Sequence, residues 1–101
     1  MNVTILASAK RDLDALFTYI KDDLHNEIAA LNTVVKILLR IQALENFPEM
    51  GSSLASIDQA LAGYRYLIAD NYLIIYKIVS SEIHIVHIPY ARSNYIQLLQ
   101  G

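Results

Sequence analysis

The spacing of apolar residues changes once along this chain, between Gly51 and Gly63, and that change limits the folds open to it. Before Gly51, apolar residues recur every three or four positions, which is the period of a helix with a buried face. After Gly63, aromatic and β-branched residues come in short runs that are typical of strands. A helical half followed by a strand half predicts an α+β fold, with helices on one face of a mainly antiparallel sheet.

The first half predicts a short strand and two helices. Residues 2–7 form the strand, and Ser8 is the predicted N-cap of the first helix. That helix should end at His25-Asn26, where Asn26 caps a longer second helix over residues 27–46. A connection this short makes the two helices an antiparallel hairpin. The apolar stripe of the second helix is broad enough to predict burial on two sides, against the first helix and the sheet.

The second half predicts three strands after a loop. Pro48 and Gly51 mark the loop, and residues 53–62 suit either a short helix or an irregular crossing. The strands and the last segment are residues 64–69, 72–79, 82–88 and, as a short helix or a loosely packed tail, 91–99. With the N-terminal strand they predict a four-stranded, mainly antiparallel sheet in one domain, residues 1–101.

The strand predicted at residues 72–79 is apolar on both faces. A helical hairpin covers only one face of a sheet. The other face therefore needs the C-terminal segment, a partner or both, and we interpret the surplus of apolar surface as a sign of an obligate partner.

Composition narrows the classes of function. The 101 residues contain no cysteine, which excludes a disulfide scaffold, thiol catalysis and cysteine-ligated metal sites. The net charge of −2 does not favour binding to long nucleic acid, although a small catalytic contact with RNA remains open. His84 and His87 are predicted on opposite faces of one strand, where they cannot bind the same metal ion, so we expect no metal site. We expect no cofactor either. No apolar run is long enough to span a membrane and no basic leader is evident, so a cytoplasmic protein is expected.

The order and spacing of five motifs resemble the RelE/ParE superfamily of bacterial type II toxin–antitoxin toxins. The motifs are Asp12-Leu13 with the helix that follows, Ala29-Ala30, the loop of Leu44, Phe47, Pro48, Met50 and Gly51, the segment from Tyr64 to Ile78, and the segment from Ile83 to Leu99. The resemblance implies a small toxin that a co-expressed antitoxin holds inactive. It implies no membrane partner and no small-molecule ligand.

The resemblance leaves the target open between two branches. RelE-like members cleave mRNA, mostly at the ribosome, and ParE-like members poison DNA gyrase. In the ribonucleases an arginine commonly follows the aromatic residue of the third strand, and Leu73 stands there in this chain. We therefore predict a ParE-like toxin acting on gyrase or another protein. A RelE-like mRNA endoribonuclease is the alternative, and a degenerate, non-toxic interaction domain is a third reading.

Five residues are candidates for a functional site. Arg92 matches a basic residue of the ribonucleases, and Tyr90 and Tyr95 are approximate counterparts of their C-terminal tyrosine or histidine. We expect Arg65 and Arg92 to face one concave surface that contacts phosphate or a protein, with a surface ion pair as the alternative. Both tyrosines could stack bases or pack in the core. His87 is a candidate acid or base, or else a packed histidine.

The antitoxin is expected to cover apolar surface that the helical hairpin leaves bare. An amphipathic helix laid across the toxin and a strand added to an open sheet edge are both suitable modes, given a sheet predicted to have no second covering layer. Its few buried apolar anchors are expected to meet the exposed face of the helical hairpin and the neighbouring sheet edge, with acidic antitoxin side chains near Arg92 and Arg65. The alternative is that the apolar surplus is internal or serves a homodimer.

Overall fold

A computed structural model describes residues 1–100 and confirms the α+β fold. The elements are β1 (Asn2–Ile5), α1 (Ala7–Thr18), α2 (Glu27–Ala43), β2 (Ser52–Ser53), β3 (Arg65–Ala69), β4 (Tyr72–Val79), β5 (Glu82–His87) and α3 (Ile96–Leu99). The strand order in the sheet is β1-β5-β4-β3-β2, with β1 parallel to β5 and the other pairs antiparallel. The parallel pair follows from the helical hairpin, which carries the chain from β1 across to the far side of the sheet.

The sheet has one strand more than the four predicted. Ser52 and Ser53 pair with Tyr66 and Arg65 at the edge of β3. A two-residue serine strand carries no alternating apolar pattern, so the sequence showed only a loop there. Its pairing brings the preceding loop against the end of the sheet.

The first helix is anchored differently from the prediction, and the assignment of Ser8 as its N-cap is wrong. Leu6 holds the cap position, and Ser8 lies inside α1, where its Oγ donates to the carbonyl oxygen of Val86 at 2.6 Å. Val86 is the extra residue of a β-bulge, because Ile85 and His87 pair with consecutive residues of β4. The serine therefore ties α1 to β5.

The helical hairpin closes as predicted at His25 and Asn26. A π-helical turn, Tyr19–Asp23, extends α1, and His25 then adopts a left-handed conformation with φ of 52°. Asn26 caps α2, accepting a hydrogen bond on its side-chain oxygen from the Ala29 amide at 2.9 Å. The second helix ends at Ala43, three residues before the predicted end, and continues as turns.

Two apolar clusters lie on opposite faces of the sheet. The larger joins α1 and α2 to the sheet through buried residues that include Leu16, Ile37, Ile74, Tyr76 and Ile85. The smaller consists of Leu54, Leu61, Leu73 and Ile75, with Tyr64, Tyr66, Ala91, Tyr95, Ile96 and Leu99 packed around it. The C-terminal segment covers this face, which is one of the predicted alternatives, together with two 3₁₀ turns (Leu54–Ser56 and Gln59–Leu61). The expectation of a sheet with no second covering layer is wrong here.

The apolar stripe predicted for α2 is buried on one side only. Ala30, Ile37 and Ile41 face the core, whereas Ile28, Leu31, Val35 and Leu38 are exposed. The helix contacts both α1 and the sheet, as predicted, but these contacts leave the four exposed residues of the stripe uncovered within residues 1–100.

Candidate functional site

A groove of about 950 Å³ opens between the helical hairpin and one end of the sheet. Tyr19, Ile20 and Leu24 of the π-helical turn and its end form one wall, and Tyr72, Pro89 and Tyr90 form the other. Tyr72 and Tyr90 meet edge to face, with ring centroids 5.8 Å apart. Burial raises the pKa of Tyr72, and the neighbouring Tyr19 and Tyr90 act in the same direction. The groove therefore presents the neutral phenol of Tyr72 on a largely apolar surface.

Two carboxylates at the groove hold its walls together. Asp12 Oδ2 accepts hydrogen bonds from His87 Nδ1 and from the Ile88 amide, each at 2.9 Å, and so joins α1 to the end of β5. Asp70, in the turn between β3 and β4, lies 3.1 Å from Lys36 Nζ of α2. Both carboxylates are engaged in joining elements, so the groove is suited to apolar side chains more than to a cation.

Arg65 and Tyr76 hold the loop of residues 47–51, here named the latch loop, against the opposite end of the sheet. Arg65 Nη1 donates to the carbonyl oxygens of Gly51 at 2.6 Å and Glu49 at 3.2 Å. The hydroxyl of Tyr76 accepts from the Gly51 amide at 3.0 Å and donates to the Pro48 carbonyl at 2.9 Å. Arg65 thus has a structural role in the fold.

The five candidate residues lie in four different surroundings. Arg65 is bound to the latch loop, as described above. His87 is bound to Asp12, Tyr90 lines the groove, and Tyr95 packs against the apolar cluster on the other sheet face. Arg92 is exposed, and none of the ion pairs within residues 1–100 includes it. The structure therefore brings only His87, through Asp12, and Tyr90 to one site, the groove.

A family model, described as the ParE toxin of the type II toxin–antitoxin system parDE, matches residues 3–95. This chain belongs to the ParE toxin family. It is therefore the toxin of a type II toxin–antitoxin system and of the ParE-like branch that the sequence predicted.

A solved structure described as "Chromosomal ParDE TA system from P. aeruginosa" resembles this ParE-family toxin in fold. The two share 22% sequence identity with a TM-score of 0.76, over 91% of this chain and 97% of the other. No curated protein matches the sequence.

Leu73 marks the place where this ParE-family toxin departs from the ribonucleases. Its side chain is 5% exposed and packs with Leu54, Leu61 and Ile75. The resemblance puts an arginine of the ribonucleases at this position. Here the surroundings are apolar, and an arginine would be buried without a partner.

Sequence reasoning missed the residues that build the groove, among them Tyr19, Asp12 and Tyr72. Tyr19 is not part of the apolar face of the predicted first helix, and the π-helical turn that places it at the groove has no sequence signature. The Asp12-Leu13 motif contained a signal for Asp12, but the sequence alone indicated only an acidic residue near the start of the first helix.

No helix within residues 1–100 is long and apolar enough to cross a membrane. No group of three histidine, aspartate or glutamate side chains in that range could hold a metal ion.

Proposed function

We propose that this ParE-family toxin inhibits growth by binding a protein target, DNA gyrase, and that it does not cleave RNA. The observation that carries the proposal is the burial of Leu73 in an apolar cluster. The position at which the ribonucleases hold a phosphate-binding arginine is here part of a core, closed by the C-terminal segment.

The chemistry of RNA cleavage supports the same choice. Cleavage requires a base for the 2′-hydroxyl, a cation for the phosphate and an acid for the leaving oxygen, all at one point. Arg65 is bound to the latch loop, His87 to Asp12, and Tyr95 packs into the smaller apolar cluster. These side chains lie on different elements and face different partners.

Measurements of gyrase and of RNA discriminate the branches. The purified toxin is added to gyrase and relaxed plasmid, and supercoiling and cleaved DNA are followed; RNA 5′ ends are mapped within minutes of induction in cells. We expect loss of supercoiling or accumulation of cleaved DNA, with an unchanged RNA profile. Codon-linked RNA ends with unaffected gyrase would replace the proposal with the RelE-like alternative. Normal growth after induction of the chain alone would favour the degenerate interaction domain.

We further propose that a cognate antitoxin inactivates the toxin by filling the groove. The P. aeruginosa structure is described as a ParDE system, which supports an antitoxin for this chain as well. The groove is concave and apolar, and its walls are fixed by the Asp12 and Asp70 contacts. A preformed apolar groove receives a few anchor side chains of a helix or extended segment, at little cost in ordering the toxin.

A pair of leucines tests this location. Leu24 lines the groove, and Leu98 is similarly exposed on α3, away from it. We expect Leu24→Lys to weaken antitoxin binding about tenfold or more, as loss of a buried anchor does. Leu98→Lys should leave binding unchanged. Equal affinities of both variants in titration calorimetry would place the antitoxin elsewhere on the toxin.

A further inference from the structure

The second helix has an apolar stripe that no part of residues 1–100 covers. Ile28 is 73% exposed, and Leu31, Val35 and Leu38 follow it on the same side at spacings of three, four and three. The opposite side of α2 is anchored in the core through Ala30, Ile37 and Ile41. A helix that is apolar on both sides is characteristic of one that is buried from both.

The order of residue types along this stripe is that of a two-stranded parallel coiled coil. With Ile28 at position a of a heptad, Val35 is the next a residue, and Leu31 and Leu38 are d residues. β-branched residues at a combined with leucine at d favour two parallel strands over higher oligomers. We infer that two copies of this chain associate by packing their α2 helices in parallel along the stripe Ile28, Leu31, Val35 and Leu38, here named the α2 seam.

The residues that flank the α2 seam are compatible with a second copy. In a parallel pair each g residue approaches the e residue five positions later on the partner helix. Glu27 thus meets Asn32 of the other copy, and Val34 meets Leu39. Neither contact joins like charges, and the second accounts for Leu39, which is 59% exposed in the single chain.

A two-fold axis parallel to the helices makes the surface complementary to itself, because each a or d residue then meets its own counterpart. The helix is already folded against the core, so association orders side chains only. The seam spans about three helical turns, which is small for a permanent interface, and the dimer should therefore dissociate on dilution.

The surface is separate from the groove, and the inference does not depend on the cellular target. None of the four seam residues lines the groove, which is bounded on α2 by Ala29 and Thr33. The dimer can consequently exist whether or not gyrase is the target, and a failure of either idea is seen in a different measurement.

Sedimentation of the purified chain over a wide concentration range tests the association. We expect a monomer–dimer equilibrium, with Leu31→Lys raising the dimer dissociation constant at least about tenfold because a charge would enter the seam. Leu98→Lys is the matched control, since Leu31 is 51% and Leu98 49% exposed. A monomer at every concentration, or a dimer that Leu31→Lys leaves intact, would overturn the inference.

Cross-linking tests the parallel arrangement, and the absence of native cysteine makes it direct. A parallel seam places Val35 opposite its own counterpart, so Val35→Cys should form a disulfide-linked dimer on mild oxidation. An antiparallel seam would place Leu31 opposite Val35, and only a mixture of Leu31→Cys and Val35→Cys chains would then cross-link, which would refute the parallel arrangement. If the chain alone is monomeric and Leu31→Lys abolishes antitoxin binding, the seam belongs to the antitoxin.

Discussion

Arg65 and Tyr76 lie directly opposite each other on β3 and β4 and bind the same loop from two sides. Between them they satisfy the amide and carbonyl of Gly51 and the carbonyls of Pro48 and Glu49. The latch loop is thereby fixed to the end of the sheet, although it has no regular structure. Two of the motifs that carry the family resemblance, the loop of Leu44 to Gly51 and the segment from Tyr64 to Ile78, meet in this one contact.

Gly51 is required by the closeness of this contact. A Cβ atom at Gly51 would lie 2.6 Å from the Tyr76 hydroxyl oxygen and 2.8 Å from the Tyr66 carbonyl oxygen. We expect Gly51→Ala to lower the free energy of unfolding by about 1–3 kcal/mol, as overpacking does. Gly63→Ala is the control, since no atom lies within 4 Å of its Cβ position. Chemical denaturation of both variants measures the difference in the free energy of unfolding. Equal stabilities would show that the latch loop shifts to accommodate the Cβ atom at no cost in stability.

Removing the Tyr76 hydroxyl should destabilise the fold without opening a cavity. Tyr76→Phe leaves the buried Gly51 amide without its acceptor, which costs about 1–3 kcal/mol. Tyr66→Phe, in the smaller apolar cluster, should cost less because the Tyr66 hydroxyl forms no hydrogen bond to another protein atom within residues 1–100 and is not buried without a partner. Denaturant titrations of the two variants provide the comparison. A Tyr76→Phe variant as stable as the parent would mean that water replaces the hydroxyl.

Tyr76 also predicts a dependence of stability on alkaline pH. Burial raises the pKa of Tyr76 above the ordinary value of 10.0 more than the Gly51 amide and the Arg65 charge lower it. The folded state therefore favours the neutral phenol. Its stabilising contribution is complete below pH 10.0 and is lost as the pH rises through the folded pKa. Melting temperatures measured from neutral to alkaline pH should fall less steeply for Tyr76→Phe than for the parent.

The sequence predicted the elements that periodicity specifies and missed those that depend on distant contacts. The strand Tyr72–Val79 was predicted with its correct bounds because eight residues between turn signals, all apolar except Lys77, have few other solutions. The sequence offered the C-terminal segment as a cover for the second sheet face, but the burial of residues 54–61 against that face was not predictable from pattern. Leu54 and Leu61 lie in two short 3₁₀ turns with no periodicity, and their burial depends on Leu73 and Ile75 across the chain.

The candidate site was less predictable than the fold, for a related physical reason. Arg65 was selected as a basic residue expected to face one concave surface together with Arg92, but its guanidinium is bound by backbone carbonyls of a loop fourteen and sixteen residues earlier. Those acceptors carry no side-chain signature in a sequence. The groove, similarly, depends on a π-helical turn and a β-bulge, which are both local departures from regular geometry.

Asp12 should be essential to the shape of the groove. It is the acceptor for both His87 and the Ile88 amide, so Asp12→Ala would leave a partly buried amide unsatisfied. We expect a loss of about 1–3 kcal/mol in the free energy of unfolding, together with weaker antitoxin binding as the wall formed by Ile88 and Pro89 moves. Asp14→Ala, on the exposed side of α1, is the control. Unchanged antitoxin affinity in a destabilised Asp12→Ala variant would show that antitoxin binding does not depend on the contact between Asp12 and the end of β5.

Arg92 and Arg65 should behave differently when each is replaced by alanine. Arg92 is exposed and forms no ion pair within residues 1–100, so Arg92→Ala should change the free energy of unfolding by less than about 0.5 kcal/mol. Because Arg92 is the candidate contact for the target, Arg92→Ala should nevertheless reduce growth inhibition. Arg65→Ala should lower stability by about 1–3 kcal/mol by releasing the latch loop, and inhibition should fall with it. Induction in cells, with melting temperatures of the purified variants, separates the two effects. Exposed Arg11→Ala controls for loss of charge, and full inhibition by Arg92→Ala would remove Arg92 from the site.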